Sequence, residues 1–242
     1  MSLNVAILFG GKSAEYEVSL KSATNVFNSI DRERFRPVLL GVDKAGEWFY
    51  ADYTNVGSVN LADSDFFAKA AKVYLSSSAD GIHIINKETN KSLASFDVAF
   101  PIIHGTYGED GTLQGILKSV NVPFVGPDVL GSAIAMDKDV TKRLLKAADI
   151  PVADSYTLYK NEVSVYSFEK MISELGLPMS VKPANAGSSV GVSKVTNEME
   201  YHAALSTAFR FDNKILVEEA VIGKELECGV LGNDDAQASV VG

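Results

Sequence analysis

The chain has 242 residues, 46% of them hydrophobic, so it can form one large or two ordinary domains, and two are predicted. Its 22 basic and 31 acidic residues give a net charge of −9, which argues against nucleic acid as a partner. Any anion site must therefore be a local pocket.

A single cysteine, Cys228, excludes an internal disulfide framework and a multi-cysteine metal site. It is predicted to be a small buried residue. The sequence shows neither a signal-peptide pattern nor an apolar run long enough to cross a bilayer, so no membrane insertion is expected. These features predict a soluble cytoplasmic protein.

The first predicted element is a strand over residues 5–9, because a continuous apolar run is typical of a strand buried on both faces. A helix over 17–30 follows, with an apolar stripe that includes Val18, and a second strand spans 37–42. This order predicts a βαβ unit with parallel strands and a ligand near residues 10–17. The Gly-Gly pair after the first strand lacks the spacing of a dinucleotide fingerprint, so NAD and FAD are not predicted.

Residues 47–93 show only short strand patterns, at 48–50, 73–75 and 82–85, and are assigned structural roles. His83 alternates with apolar neighbours, which favours a solvent-facing strand position over a ligand.

A buried strand over 98–103 leads into a second loop, 104–111, with three glycines, a histidine, a tyrosine and two carboxylates. A short amphipathic helix then follows over 113–120. Since parallel strands present their carboxyl ends at one edge, this loop and residues 10–17 are expected to converge. His104 is a candidate substrate contact, and a histidine that bonds the turn backbone is an equally good interpretation.

The domain boundary is predicted after Gly126, before a short helix over 128–135. The next helix opens at Met136 with Asp137 as its N-cap. Lys138 lies in the first turn, where a cation is unfavourable for the helix dipole. Taken alone, this position favours a lysine extended into solvent; the alternative is that it faces an anion.

A glycine- and serine-rich segment at 181–191, here called the flap, follows a helix pattern that ends at Gly176. A strand-like lead-in delivers Lys182, and a strand-like pattern resumes at Val190. Glycines, serine hydroxyls and successive amides can form an anion-binding concavity, although this is not the Walker pattern. Taken alone, such a segment is more often an ordinary β-hairpin turn.

The last part of the chain predicts a surface helix over 199–209 and a strand over 214–221 that contains two acids. The alternating character of 225–232 predicts a strand with Glu225 and Glu227 on one face. A returning strand is predicted over 238–242.

The chain resembles the D-alanine–D-alanine ligase family of ATP-grasp enzymes, which also contains D-lactate and D-serine ligases. The resemblance spans essentially all residues and rests on five motifs in the family's order. They are FGGKSAEYEVSL (9–20), HGTYGEDGTLQG (104–115), MDK (136–138), VKPANAGSSVG (181–191) and ELECGVLGN (225–233).

The resemblance implies an α/β fold: an N-terminal Rossmann-like (pre-ATP-grasp) parallel sheet followed by an incomplete ATP-grasp domain. The implied parts are the N-terminal domain (1–126), a central ATP-grasp subdomain with the phosphate flap (127–222) and the beginning of a C-terminal subdomain (223–242). It implies ligation of two D-alanine molecules through a D-alanyl phosphate, driven by ATP, which supplies D-Ala-D-Ala for peptidoglycan. A homodimer formed largely through the N-terminal domain is also implied.

Residue roles are implied by the same resemblance. Lys138 and Lys182 match the lysines that neutralise ATP phosphates, which favours the anion interpretation of Lys138. Glu15 matches the carboxylate that holds the first D-alanine, a role compatible with stabilising the helix dipole. The other implied assignments are His104 and Ser188 for substrate, Gly187, Ser188 and Ser189 for phosphates, Glu218, Glu219 and Val221 for adenine, and Glu225, with Glu227 as alternative, for ribose.

The sequence departs from the family in one respect. The motifs that carry the substrate loop, the phosphate arginine and the magnesium (or manganese) ligands do not occur before Gly242. The 242-residue chain is therefore expected to be inactive as a ligase and to leave apolar surface uncovered. A nucleotide-binding fragment without catalysis is one alternative. Another is a relative of biotin carboxylase or glutathione synthetase, against which residues 13–15 and 104–105 together argue.

Overall fold

The computed structural model describes residues 2–161 and 166–242. Its first part is a seven-stranded sheet in the order β6-β5-β4-β3-β2-β1-β7. The strands are β1 (Leu3–Gly10), β2 (Phe35–Val42), β3 (Trp48–Tyr50), β4 (Ala71–Ser78), β5 (Gly81–Asn86), β6 (Ser92–Phe96) and β7 (Val98–Pro101). The helices are α1 (Tyr16–Ser29), α2 (Phe66–Lys69) and α3 (Thr112–Ser119).

The predicted βαβ unit is confirmed, because β1 pairs in parallel with β2 and with β7. The rest of the sheet is antiparallel, from β2–β3 through β5–β6. The expected parallel sheet is thus a mixed sheet whose parallel part is β7-β1-β2. Tight turns such as 78–81, between β4 and β5, allow only antiparallel pairing, since a parallel partner needs a long crossover.

Strand β1 is buried on both faces, as its apolar run predicts. Ala6 and Leu8 belong to one core cluster, together with residues of α3, whereas Ile7 and Phe9 belong to another, together with residues of α1. This alternation follows from the two-residue period of a strand. It fixes both helices against β1 and places the loops after β1 and β7 at one edge.

The second part is a four-stranded antiparallel sheet in the order β10-β9-β11-β8. Its strands are β8 (Ser155–Tyr159), β9 (Met179–Pro183), β10 (Ser193–Val195) and β11 (Lys214–Glu219). The described helices around it are α4 (Val129–Met136), α5 (Lys138–Ala147), α6 (Phe168–Leu175) and α7 (Glu198–Ala208). The chain ends in a two-stranded hairpin of β12 (Val230–Leu231) and β13 (Gln237–Ala238).

The flap joins β9 to β10, which pair as an antiparallel hairpin with Ser193 opposite Val181. The strand resumes at Ser193, later than the predicted 190–192, because residues 188–191 form turns. Ser188 and Ser189 both have positive φ, 44° and 58°. Such values are uncommon outside glycine and interrupt a strand.

One prediction for an individual element is wrong. Val18 is 50% exposed, so the apolar stripe of α1 is buried through Leu20, Ala23 and Phe27 instead. Helix α7 is a surface helix, as predicted, and it packs one side into the core through residues such as Tyr201. His83 lies in a strand, as predicted, beside Asp80 and Ser92, and 22% of its side chain is exposed.

The segment after β11 differs most from its prediction. Residues 225–229 form no strand, so Glu225 and Glu227 do not share a strand face, and Cys228 is exposed rather than buried. The predicted strand at 238–242 is reduced to β13. Apolar side chains are exposed along this segment, among them Val221, Ile222, Leu231 and Val240. Residues 221–242 thus lack a core of their own.

Candidate functional site

The first loop of the site follows β1 and carries Glu15 at the N-terminal end of α1. The Glu15 backbone N–H donates to Ser13 Oγ (3.0 Å), and its side chain does not cap the helix. The carboxylate is therefore directed elsewhere, and its Oε1 accepts a hydrogen bond from Ser188 Oγ of the flap. Glu15 and Ser188, predicted to serve one substrate, are brought into contact.

The second loop follows β7 and carries His104. Its Nε2 lies 3.1 Å from Ser22 Oγ, and its Nδ1 lies 3.7 Å from Glu109 Oε1. Glu109 also accepts from the Gly105 N–H (2.7 Å). The imidazole thus bonds neighbouring side chains, not the turn backbone. It is half-buried and does not line the cavity described below.

The two loops converge as predicted, and the flap tip closes against both. A side-chain carbon at Gly187 would lie 2.9 Å from Glu15 Oε2 and 3.8 Å from the Gly105 Cα. Gly105 has φ +69°, and a Cβ there would overlap Glu15 Oε2. The absence of side chains at these glycines lets the Glu15 carboxylate reach the flap.

The Gly105→Ala variant should be less stable than the parent by about 1–3 kcal/mol, because the added methyl group meets a left-handed backbone and the Glu15 carboxylate together. Urea denaturation measures the change. Gly115→Ala is the matched control, since Gly115 lies within α3 with open space around it and should gain up to about 1 kcal/mol of helix propensity. Equal stability of the two variants would contradict this packing.

Lys138 faces the flap rather than solvent. Its Nζ donates to the carbonyl of Ala186 (2.5 Å), and its backbone N–H donates to the carbonyl of Ala184 (3.1 Å). Asp137 caps the helix, as predicted, by accepting from the N–H groups of Asp139 and Val140. Burial lowers the pKa of the Lys138 ammonium, and the positive charge of Lys182 lowers this pKa further. A bound anion would oppose both effects.

Lys182, on β9, forms an ion pair with Glu218 Oε1 on the neighbouring strand β11. The other carboxylate oxygen, Oε2, lies 3.0 Å from Lys142 Nζ, at an angle that makes this contact an ion pair without a hydrogen bond. Only 10% of the Glu218 side chain is exposed. One buried carboxylate is thus shared by two lysines.

A second charged cluster supports the base of the site. Lys214 Nζ lies 2.5 Å from Asp137 Oδ2 and 3.4 Å from Asp139 Oδ2. Asp139 also accepts from Arg143 and from Thr157 Oγ1 (2.7 Å). This cluster joins α5 to β8 and β11 and so positions Lys138.

Sequence reasoning missed Lys142 and Lys214. Lys142 follows Lys138 by one helical turn, so the spacing i, i+4 places both on one face of α5. That spacing was the available signal for Lys142. Lys214 gave none, because its partners are far away in the sequence.

A cavity of about 710 Å³ lies between the two parts of the chain, under the flap. Buried Gln114 of α3 and Met136 of α4 also line it. Six of the predicted site residues line it: Lys138, Lys182, Gly187, Ser188, Ser189 and Glu225.

The remaining predicted residues do not line the cavity, although Glu15 and Glu218 contact lining residues. The Glu219 carboxylate accepts from the Asp154 N–H (3.0 Å), which ties β11 to the segment before β8. Val221 is 73% exposed, just after β11. Their adenine role, which the resemblance assigns to backbone atoms, stays a prediction.

Two family profiles match the chain. The profile described as D-ala D-ala ligase N-terminus matches residues 4–127, and the profile described as D-ala D-ala ligase C-terminus matches residues 144–242. The chain belongs to the D-alanine–D-alanine ligase family. The family predicted from five sequence motifs, and with it the α/β fold class, is thereby confirmed.

Individual members of the D-alanine–D-alanine ligase family are similar over the whole chain. D-alanine--D-alanine ligase A of Salmonella typhimurium is 51% identical over 243 residues, which cover 99% of this chain and 66% of that protein. The D-alanine-D-alanine ligase structure from Coxiella burnetii has a TM-score of 0.87 at 33% identity and covers 99% of this chain and 70% of that one. The structure of the VanG D-Ala:D-Ser ligase from Enterococcus faecalis has a TM-score of 0.84 at 34% identity. The match covers 100% of this chain and 69% of that one.

No helix within residues 2–161 and 166–242 is long and apolar enough to cross a membrane. No group of three or more His, Cys, Asp or Glu side chains there is arranged to hold a metal ion. The carboxylates of these ranges therefore do not by themselves form a metal site.

Proposed function

We propose that the full-length protein joins two D-alanine molecules at the expense of ATP, through a D-alanyl phosphate. The observation that carries the proposal is the convergence of Lys138 and Lys182 on one cavity, beneath a flap whose Ser188 bonds Glu15. These residues come from three separate segments of the chain. Family membership supplies the reaction class, and this arrangement supplies groups that suit it.

The proposed nucleotide contacts follow from charge. Lys142 and Lys182 share one buried carboxylate, Glu218, whereas Lys138 Nζ donates to flap carbonyls. Lys138 and Lys182 line the cavity, and ATP phosphates would be their direct partners. We assign Gly187, Ser188 and Ser189 to the cover over the phosphates. The backbone of Glu218, Glu219 and Val221 is assigned to adenine, and Glu225 to ribose.

The proposed chemistry has two steps. A carboxylate oxygen of the first D-alanine attacks the γ-phosphorus of ATP, and ADP leaves. The amino group of the second D-alanine then attacks the acyl carbon, loses a proton, and phosphate leaves. Glu15 would hold the ammonium group of the first D-alanine, with Ser188 and His104 as neighbouring contacts. Flap closure against Glu15 would exclude water from the acylphosphate, which otherwise hydrolyses.

The 242 residues by themselves are proposed to lack turnover. Phosphoryl transfer depends on cations that compensate charge in the transition state, and magnesium or manganese ions normally supply much of that compensation. The described ranges provide lysines for phosphates but no carboxylate cluster for a metal. We expect such ligands elsewhere in the full-length protein.

An assay of ADP release tests both parts of the proposal. The full-length protein should release ADP from Mg-ATP only when D-alanine is present, whereas the 242-residue chain should show no D-alanine-dependent release. Absence of turnover in the full-length protein would contradict the ligase assignment. Robust turnover by the 242-residue chain would contradict the metal argument.

Product analysis with competing D-serine and D-lactate addresses the alternatives. The likeness to a D-Ala:D-Ser ligase keeps D-serine as a second candidate substrate. A chain that binds ATP with no ligation in any form would instead be a nucleotide-binding module. We also propose a cytoplasmic location and a homodimer formed through the N-terminal sheet region; a monomer at all concentrations in light scattering would contradict the dimer.

A further inference from the structure

Lys142 has no role in the reaction proposed above, yet it is one of the least exposed lysines around the site. Only 17% of its side chain is exposed. Its Nζ donates to the carbonyl of Ala153 (2.8 Å) and lies 3.0 Å from Glu218 Oε2. A buried ammonium group is unfavourable without such partners, so its placement calls for a reason.

Glu218 provides that reason, because its two oxygens contact different lysines. Oε1 pairs with Lys182 and Oε2 with Lys142. Of the three residues, only Lys182 lines the cavity under the flap. Lys182 can therefore turn toward a ligand, whereas Lys142 stays with the carboxylate.

We propose that Lys142 is a positioning residue for nucleotide binding, which compensates the Glu218 carboxylate when Lys182 turns toward a phosphate. The inference rests on the proposed function of Lys182. Without Lys142, Lys182 would be the one lysine of this pair left to compensate the Glu218 carboxylate. Moving Lys182 to a phosphate would then leave a buried charge without its partner, and Glu218 would compete with the phosphate for Lys182.

A loss of about 10- to 100-fold in affinity corresponds to about 1.4–2.8 kcal/mol, which lies within the range for removing one partner of a buried polar group. We therefore expect Lys142→Met in the full-length protein to weaken ATP binding by about 10- to 100-fold in calorimetry. Lys142→Arg keeps the charge and should stay within about threefold of the parent. Lys146→Met is the matched control, because Lys146 lies one turn further along α5 and is exposed beside Asp154.

A double-mutant cycle with Glu218→Gln separates this role from a merely structural one. The Gln variant removes the charge that Lys142 compensates, so adding Lys142→Met to it should change ATP affinity by less than about threefold. An equal loss in both backgrounds, or no loss in either, would overturn the inference. Failure of the parent protein to bind ATP would instead overturn the proposed function and this inference with it. Thermal melting of each variant checks that it is folded, so that the ATP affinities of folded proteins are compared.

Discussion

Replacement of Lys182 by alanine should reduce ligation by the full-length protein by about 100-fold or more, because phosphoryl transfer is catalysed mainly by positioning and charge compensation. Lys182 lines the cavity together with Ser188 and Ser189 of the flap, which would cover the phosphates. No other cation is carried by β9, so alanine leaves the phosphates without a charge from this strand. The D-alanine-dependent release of ADP measures the effect.

The same variant should fold normally. Removal of Lys182 leaves Glu218 paired with Lys142, so the buried carboxylate keeps one cation. Lys194→Ala is a suitable control, because Lys194 lies on the adjacent strand β10 and is exposed. It should change neither activity nor melting temperature. Near-normal ligation by the Lys182→Ala variant would refute the phosphate assignment.

The parts of the fold that the sequence predicts best are those in which local pattern and packing agree. The apolar run of β1 predicts a strand buried on both faces, and the stripe of α3 predicts the helix that packs against it. Asp137 acts as the N-cap of α5, as its position before the helix predicts. In each case a single segment contains the signal.

The prediction for residues 225–232 fails because alternation alone does not form a strand. A strand needs a partner for its backbone groups and a core for one face. In the structure, the exposed side chains of this segment have no core to bury them, and only Val230–Leu231 pairs with another strand. Cys228 is exposed for the same reason.

In the candidate site, too, some features are predictable from the sequence and others are not. The position of Lys138 in the first turn of a helix by itself favours a lysine extended into solvent, and only the family resemblance favours an anion partner. The structure provides partners in the carbonyl groups of the flap. The shared use of Glu218 by Lys142 and Lys182 was not predictable, because it depends on the pairing of β9 with β11 and on the packing of α5 against them. No pattern among neighbouring residues in the sequence indicates that these two lysines share Glu218.

Lys214 is the residue whose loss should destabilise the fold most among the charged groups near the site. Its side chain is 15% exposed, and it compensates Asp137, the N-cap of α5, together with Asp139, which is only 6% exposed. Burial by itself lowers the pKa of Lys214, but the hydrogen bond and charge of Asp137, followed by those of Asp139, outweigh burial and raise this pKa above its ordinary value. The charged form is therefore favoured in the folded protein.

Lys214→Met should lower the free energy of unfolding by about 3 kcal/mol at neutral pH, since removing one partner of a buried ion pair leaves uncompensated charge. The stability that Lys214 contributes is fully present below the pKa of a lysine in the unfolded chain and is lost as pH rises through the higher pKa of the folded state. The difference in free energy of unfolding between parent and variant should thus shrink only in strongly alkaline solution. Urea denaturation across this range measures it, with exposed Lys160→Met as the control. A difference that stays constant at high pH would show that Lys214 stabilises the fold through packing rather than charge.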